Sequence, residues 1–282
     1  MGSSRGSSER LLADLAGRDA TFDGAGVCVV VAHPDDETIG CGAQLARLAG
    51  CSIVLVTDGA PCNLADTRAC GFLSAAEYAR ARAAEFRRAM QLANVDQHSV
   101  VCLELADQSA AHSLAQLSYR LAGLFRGRDV YAAITHAFEG GHPDHDAVAF
   151  AVHAARRLLG TQGHSMDVIE MPLYRCGDGG MVAQTFAPPA HPFEIRIALD
   201  ERARRLKRDM LAAYATQQQT LSAFQTDTES FRLAPAYDFA ELPNEGRILY
   251  DRYAWGLTPS QWRDLARDAL AQLSCGRLWA ST

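Results

Sequence analysis

The chain alternates short runs of β-branched residues with longer helical patterns, and this alternation constrains its fold more than any other feature. The predicted strands are 27–32, 52–57, 100–105, 130–135 and 168–173. The predicted helices that follow the first four strands are 36–49, 74–93, 112–125 and 142–159. Successive strand–helix–strand units form right-handed crossovers, which place parallel strands in one sheet between two layers of helices. The sequence therefore predicts a Rossmann-like, doubly wound α/β fold with a mostly parallel sheet.

The two ends of the chain do not follow this pattern. Residues 1–9 are polar and rich in serine and glycine, so we expect a flexible N-terminal segment over 1–25. From about residue 171 the alternation becomes irregular. The elements predicted there are a strand at 193–199, helices at 200–214 and 262–273, and an irregular stretch at 217–251. We expect a single domain over 26–282, with 171–282 as an irregular C-terminal extension packed on the sheet.

Composition excludes several classes of protein. The net charge is −6 and no basic run is present, which argues against nucleic acid as a partner. No apolar stretch approaches the roughly 18–20 residues of a membrane span, and the N-terminus lacks the apolar run of a signal peptide.

None of the eight cysteines forms a C-x-x-C pair, which favours free thiols in a reducing compartment. The expected location is cytoplasmic. Lys207 is the only lysine, so no G-K-[ST] phosphate loop exists.

Polar residues follow the predicted strands at the points where ligands bind in parallel sheets. The first strand is followed by His33-Pro34-Asp35-Asp36-Glu37, and the fourth by a stretch that ends in His142-Pro143-Asp144-His145-Asp146. Asp107 follows the third strand. Because the carboxyl ends of parallel strands meet at one edge, we expect the two histidine- and carboxylate-rich motifs to converge.

Such a convergence predicts a metal site. His33 and Asp36 are three residues apart across a strand-to-helix turn, and His142 and His145 share a face at the start of a helix. Imidazole and carboxylate ligands without thiolates suit Zn²⁺, although another divalent metal is compatible with them. Three protein ligands leave one position for water, which is typical of a catalytic site. Asp35, beside the site, is then a candidate general base.

The pair of motifs resembles the LmbE-like/PIG-L family of zinc-dependent de-N-acetylases, and the resemblance covers residues 27–155. It implies one zinc ion per chain, held by His33, Asp36 and His145. It also implies that Asp35 is the general base, that His142 stabilises the oxyanion, and that Asp144 orients or polarises His142.

Two further residues are assigned from the same resemblance. Arg82 lies in an R-x-x-E helix whose arginine contacts the sugar in some members, and Asp107 corresponds to a carboxylate that binds sugar hydroxyls. Some members have a tyrosine just before the second motif, where this chain has Glu139-Gly140-Gly141. That departure indicates a different substrate.

The predicted function is removal of an acetyl group from the amine of an N-acetylated sugar or glycoconjugate, such as a GlcNAc derivative. One alternative keeps the metal and changes the reaction: a hydratase of a small unsaturated carboxylic acid on the same fold. A second alternative is a non-catalytic binding module or a Rossmann-type methyltransferase, neither of which explains the two His/Asp motifs. Release of acetate from an N-acetyl sugar separates the deacetylase from the hydratase.

Overall fold

The computed structural model describes residues 8–17, 21–188, 194–253 and 255–279. Its strands are β1 Phe22–Asp23, β2 Val27–Val31, β3 Leu48–Ala49, β4 Ser52–Pro61, β5 Val100–Asp107, β6 Ala132–His136, β7 Asp167–Met171, β8 Tyr174–Gly177, β9 Gly180–Ala183, β10 Glu194–Ala198 and β11 Thr228–Leu233. Its helices are α1 Ser8–Ala16, α2 Asp36–Leu45, α3 Ala65–Ala69, α4 Ala75–Leu92, α5 Leu114–Gly127, α6 Pro143–Gly160, α7 Glu201–Ala212, α8 Gln218–Leu221 and α9 Pro259–Trp279.

The central sheet has the spatial order β10-β11-β7-β6-β2-β4-β5. Five of these strands, β2, β4, β5, β6 and β7, are parallel, as the alternation of strands and helices predicts. β2 is the middle strand of these five parallel strands, with Val29 opposite Ile53 of β4 on one side and Ile134 of β6 on the other. All five residues of β2 are buried, which is expected for a strand covered by helices on both faces. The doubly wound fold is confirmed.

The strand order reverses between β2 and β6, and this reversal positions the two motifs. From β2 the chain builds outward through β4 and β5, then returns to place β6 and β7 on the opposite side of β2. The loops that leave the carboxyl ends of β2 and β6 therefore diverge and open a crevice between them. His33 and its neighbours follow β2, whereas His142 and His145 follow β6.

Each face of the sheet packs against its own helical layer. Val27, Val29 and Val31 contribute to the apolar cluster under α1, α2, α4 and α7, whereas Cys28 and Val30 contribute to the cluster under α5, α6 and α9. This division follows from the two-residue side-chain period of a strand. Among the described helices, none combines the length and the apolar character that crossing a membrane requires. The cysteines of the described chain are free thiols.

The C-terminal extension contains a strand that the sequence does not reveal. β11 lies within the predicted irregular stretch 217–251, yet it pairs antiparallel with both β10 and β7 and so extends the sheet. Its sequence hides it because Glu229 and Arg232 are charged. Both are buried, and their charges are compensated by Lys207 at 2.9 Å and Glu170 at 2.9 Å respectively.

Other element boundaries differ from the predictions in smaller ways. The predicted helix 36–49 ends at Leu45, because the following residues form β3 and pair with β1. Within the segment expected to be flexible, 1–25, residues 8–16 form α1, which packs on β7, β10 and β11 and whose Leu11, Leu12 and Leu15 are buried. The predicted strand 193–199 corresponds to β10, and residue 193 lies outside the described residues.

Candidate active site

The first motif forms a tight turn between β2 and α2. Asp35 occupies the position before the helix with φ +132°, and Asp36 begins the helix. The backbone N–H of His33 donates to Asp36 Oδ2 at 2.7 Å, which closes the turn. The turn therefore brings the His33 ring against the Asp36 carboxylate, with Nδ1 3.2 Å from Oδ2.

The second motif begins α6. His142 is the N-cap residue, and its Nδ1 accepts the backbone N–H of Asp144 at 3.1 Å. Pro143 occupies the first turn, where its missing N–H costs nothing and its fixed φ suits a helix. His145 follows in the same turn and points back towards β2. The N-cap geometry thus fixes the direction in which both histidines leave the helix.

The crevice brings three of the predicted ligands together. His145 Nε2 lies 3.2 Å from His33 Nδ1 and 3.3 Å from Asp36 Oδ1. Donors about 2.0–2.1 Å from one zinc ion at tetrahedral angles lie about 3.3 Å apart, so the spacing fits. His33, Asp36 and His145 are only 8%, 2% and 2% exposed. Three overlapping sets of side chains in this crevice are close enough to hold a divalent cation: His33 with His142 and His145, Asp36 with His136 and His145, and His33 with Asp107, His142 and Asp144.

The other nitrogen of His33 faces two carboxylates. Its Nε2 lies 3.0 Å from Asp107 Oδ1 and 3.3 Å from Asp144 Oδ2. Burial raises the pKa of Asp107, but the adjacent His33 outweighs it, and the net pKa is well below the usual range. A carboxylate on the second ring nitrogen is the common way in which proteins orient a metal-ligating histidine. The structure therefore places Asp107 against His33, and its contact with a sugar hydroxyl stays a prediction.

The Asp144 carboxylate is likewise turned away from His142. Its oxygens accept the backbone N–H groups of Gln108 at 2.6 Å and Ala110 at 3.0 Å, besides facing His33. Its link to His142 runs through its own backbone N–H. In this structure the Asp144 carboxylate therefore contacts His33 and two backbone N–H groups, whereas the resemblance places it on His142. Asp144 instead connects the loop after β5 to the His33 ring.

His142 is held in one neutral form. Burial and then the charge on nearby His33 keep the pKa of His142 well below its ordinary value. Its Nδ1 accepts a backbone N–H, so the single proton of the neutral ring lies on Nε2. His142 is therefore a hydrogen-bond donor through Nε2.

Asp35 is paired with Arg82. Arg82 Nη2 lies 3.1 Å from Asp35 Oδ2 and donates to Pro34 O at 2.6 Å, while Nη1 donates to Gly59 O at 3.2 Å. Burial raises the pKa of Asp35 well above its usual value, and Arg82 opposes part of this rise. Asp35 makes no side-chain cap bond to α2, so helix capping does not explain its presence. Arg82 is buried, and its donors are directed at this turn instead of an open sugar site.

His136 is a neighbour of the site that the sequence analysis did not assign. It ends β6, and its ring stacks on that of His145 with centroids 4.2 Å apart and an interplanar angle of 7°. Its Nε2 accepts the backbone N–H of Ala32 at 2.9 Å and lies 3.5 Å from Asp36 Oδ2. The available signal was its position at the carboxyl end of the strand that precedes the second motif.

The C-terminal extension packs directly on the second motif. Trp262 of α9 is buried and donates from Nε1 to Pro143 O at 3.0 Å. The N–H of Leu249 donates to Gly140 O at 2.8 Å. Gly140 has φ +72°, and a Cβ on Gly141 would overlap the carbonyl oxygen of Tyr174. The glycine pair that replaces the expected tyrosine therefore permits close approach of two other segments.

Two aromatic rings of the extension also reach the site. The ring centroid of Trp255 lies 4.7 Å from that of His142, and Tyr253 stacks on Trp255 at 4.5 Å. Both residues were missed, because they lie close to the predicted irregular stretch and far from either motif in sequence. An aromatic pair in a segment without apolar periodicity was the only available signal.

The part of the chain that forms this site matches a known protein family. Residues 28–156 match the PIG-L family, described as GlcNAc-PI de-N-acetylase. The matched region contains every residue that the sequence analysis assigned to the site. No curated protein sequence gives a significant match.

Solved structures share the fold. The A40926 pseudoaglycone deacetylase Dbv21 is 19% identical, with a TM-score of 0.57 over 77% of this chain and 99% of its own. A deacetylase–bog complex from the biosynthesis pathway of teicoplanin is 15% identical, with a TM-score of 0.56 over 75% and 98%. The zinc-inhibited form of the teicoplanin deacetylase Orf2 is 15% identical, with a TM-score of 0.54 over 75% and 98%. At these identities the similarity establishes the fold.

Proposed function

We propose that the protein is a zinc-dependent hydrolase of N-acetylated sugars, because residues 28–156 match the PIG-L family of de-N-acetylases. The proposed substrate class is a GlcNAc derivative or another glycoconjugate with an acetylated amine. The products are acetate and the free amine.

The observation that carries the proposal is the convergence of two imidazoles on one carboxylate: His33 Nδ1 lies 3.2 Å from Asp36 Oδ2, and His145 Nε2 lies 3.3 Å from Asp36 Oδ1 and 3.2 Å from His33 Nδ1. These three residues would hold the zinc ion. When bound, zinc supplies a Lewis acid that polarises the amide carbonyl and makes a coordinated water more acidic. Asp107 and Asp144 keep the His33 ring in the orientation that directs Nδ1 at this centre.

Asp35 is the proposed general base. It follows His33 by two residues and precedes Asp36, so its carboxylate lies beside the ligands without being required as one. It accepts a proton from the attacking water while the water oxygen bonds to the acetyl carbonyl carbon. Arg82 holds the Asp35 carboxylate in place and favours its ionised form, which is the form that can accept the proton.

His142 is the proposed oxyanion donor. Its Nε2–H is free to donate because its Nδ1 is occupied by the N–H of Asp144. A neutral donor in a buried site stabilises the negative charge that develops on the carbonyl oxygen. The carbon–nitrogen bond then breaks, and the proton held by Asp35 passes to the departing amine. Atoms and charges balance: water and amide become acetic acid and the free amine, Asp35 is ionised again, and the acid releases its proton to solvent to give acetate.

Two measurements on one preparation test the proposal. Elemental analysis of protein purified without chelators is expected to give close to one zinc ion per chain. Incubation with N-acetylglucosamine derivatives is expected to release acetate, measured by a coupled assay, and chelation is expected to abolish this release. Absence of both zinc and acetate would overturn the proposal. Zinc without acetate, together with hydration of an unsaturated carboxylic acid, would identify the hydratase instead.

A further inference from the structure

We propose that Tyr253 and Trp255 form a stacking subsite for a second ring of the substrate, next to the sugar that carries the reacting acetyl group. The second ring has an apolar face and is either another pyranose or an aryl aglycone. This inference rests on the proposed function, because it extends the same site outward.

The two rings form a row that begins at the candidate oxyanion donor. Trp255 lies 4.7 Å from His142 with a tilt of 44°, and Tyr253 stacks on Trp255 at 4.5 Å with an interplanar angle of 13°. The outer ring is therefore no more than about 9 Å from His142, within the span of a two-ring glycoside. The row leads from a buried histidine to a surface tyrosine that is 49% exposed.

The segment that carries the rings is anchored on both sides of the exposed row. Tyr250 precedes it and is fully buried, while Leu257 follows it and is also buried. Between them, Gly256 has φ +81° and faces Gln108. The N–H of Gln108 in turn donates to Asp144. The segment that carries the row therefore lies against the same loop that supports His33, so a ring bound on the row would lie close to the site.

An exposed, pre-stacked aromatic ring is suited to binding a ring face. Tyr253 stacks on Trp255 and is still about half exposed, so a second ring can pack on it and displace water at little conformational cost. A typical stacking contact corresponds to about a 3- to 10-fold gain in affinity. Because the contact lies away from the reacting bond, the gain is expected mainly in KM.

The test uses the zinc-loaded enzyme and three probes: methyl N-acetylglucosaminide, phenyl N-acetylglucosaminide and N,N'-diacetylchitobiose. We expect at least one two-ring probe to have a kcat/KM for acetate release about 3- to 10-fold above that of the methyl glycoside. A gain confined to the phenyl probe identifies an aryl aglycone, and a gain confined to chitobiose identifies a second sugar. Equal kcat/KM for all three probes would overturn the proposal.

Variants of Tyr253 test whether the gain in kcat/KM comes from the Tyr253–Trp255 row. Tyr253→Ala is expected to bring the ratio of kcat/KM for a two-ring probe to kcat/KM for the methyl glycoside towards one. Tyr253→Phe and Tyr253→Trp keep an aromatic ring and are expected to retain the higher ratio. Tyr119→Ala is the matched control, because Tyr119 is a similarly exposed tyrosine on α5, 46% exposed. A ratio that Tyr253→Ala leaves unchanged contradicts the proposal.

A binding measurement separates this proposal from the proposed function. In zinc-loaded Asp35→Asn protein, calorimetry compares the Kd of the methyl and phenyl glycosides, with and without Tyr253→Ala. Tighter phenyl binding that depends on Tyr253 supports the row, even if the parent enzyme releases no acetate and the proposed reaction fails. Acetate release by the parent enzyme together with equal Kd values for the two glycosides supports the proposed reaction and contradicts the stacking subsite.

Discussion

At the scale of single residues, Asp35 has two features that lower the stability of the fold and that a purely structural residue would not be expected to retain. Its φ of +132° is a conformation that L-residues rarely adopt, which typically costs about 1–3 kcal/mol. Its carboxylate is also buried, with a raised pKa. Backbone strain and perturbed pKa values concentrate at functional sites, so both features support a role for Asp35 in the chemistry.

Asp35→Asn is expected to keep the fold and the metal, because the amide oxygen can still accept from Arg82. It cannot accept a proton, so kcat is expected to fall by about 10²–10⁴-fold. Zinc content and kcat are measured on the same preparation. Near-parent turnover would remove Asp35 from the mechanism, and loss of zinc would make it a ligand.

Asp36→Ala and His145→Ala are each expected to lose zinc affinity, since either change leaves two of the three ligands. Competition with a chromogenic chelator gives the affinity of each variant. His98→Ala, at an exposed histidine remote in sequence from both motifs, serves as the control and is expected to bind zinc like the parent. If both variants bound zinc as tightly as the parent, the proposed ligand set of His33, Asp36 and His145 would be wrong.

Arg82→Ala is expected to lower kcat by roughly 10-fold or more, because the guanidinium holds Asp35 and the turn instead of an open sugar site. The sugar contact implied by the family resemblance would instead affect mainly KM. Without Arg82 the pKa of Asp35 rises further, so the acidic limb of the pH–rate profile moves to higher pH. The control is Arg87→Ala on the same helix, whose side chain is exposed. An unchanged kcat with a raised KM would favour the sugar contact.

At the scale of elements, the site depends on segments that approach each other closely. The loop before α6 passes against the backbone of Tyr174 and the segment that contains Leu249, and α9 is attached through Trp262. The extension therefore forms part of the wall around the second motif.

A pair of glycine substitutions tests this close approach. Gly141→Ala is expected to destabilise the protein by more than about 1 kcal/mol, because the new Cβ meets backbone that has no rotamer to change. Gly123→Ala, at a position in α5 with nothing within 4 Å, is expected to stabilise by about 0.5–1 kcal/mol. Urea unfolding of both variants measures these opposite signs. Equal stabilities would contradict the packing described.

At the scale of the whole molecule, three buried acids outside the candidate ligand set link stability to pH. Burial is the main cause that raises the pKa of Glu139 to about 8, and those of Asp146 and Glu170 to about 7. The folded protein therefore binds more protons than the unfolded chain between the ordinary carboxyl pKa and about pH 8. Each group's contribution is complete below about pH 4.5 and is lost as the pH rises through its folded pKa.

The contribution of each such group to the free energy of unfolding is thus expected to fall between pH 5 and pH 8, by about 1.4 kcal/mol for each pKa unit that the pH crosses. Glu139→Gln keeps the acceptor for the N–H of Leu173 and is expected to flatten this dependence. Glu194→Gln, at an exposed position of β10, is the control. A pH dependence that is the same in both variants would exclude Glu139 as a contributor.

The parallel sheet and the two motifs at its edge could be predicted from the sequence, because both depend on local order. Strand and helix periodicities are properties of neighbouring residues, and right-handed crossovers then determine which strand ends meet. His33, Asp36 and His145 were therefore expected in one crevice, and their side chains do meet there.

The partners of the remaining polar residues were decided only by the tertiary structure. Arg82 and Asp107 have the chemistry to bind a sugar hydroxyl, yet the structure pairs them with Asp35 and His33. A charged side chain binds whichever group the packing brings within about 3 Å, and no periodicity encodes that choice. The same reason hid β11, whose buried charges are compensated by residues distant in sequence. It also hid Trp255, whose contact with His142 spans more than a hundred residues of chain.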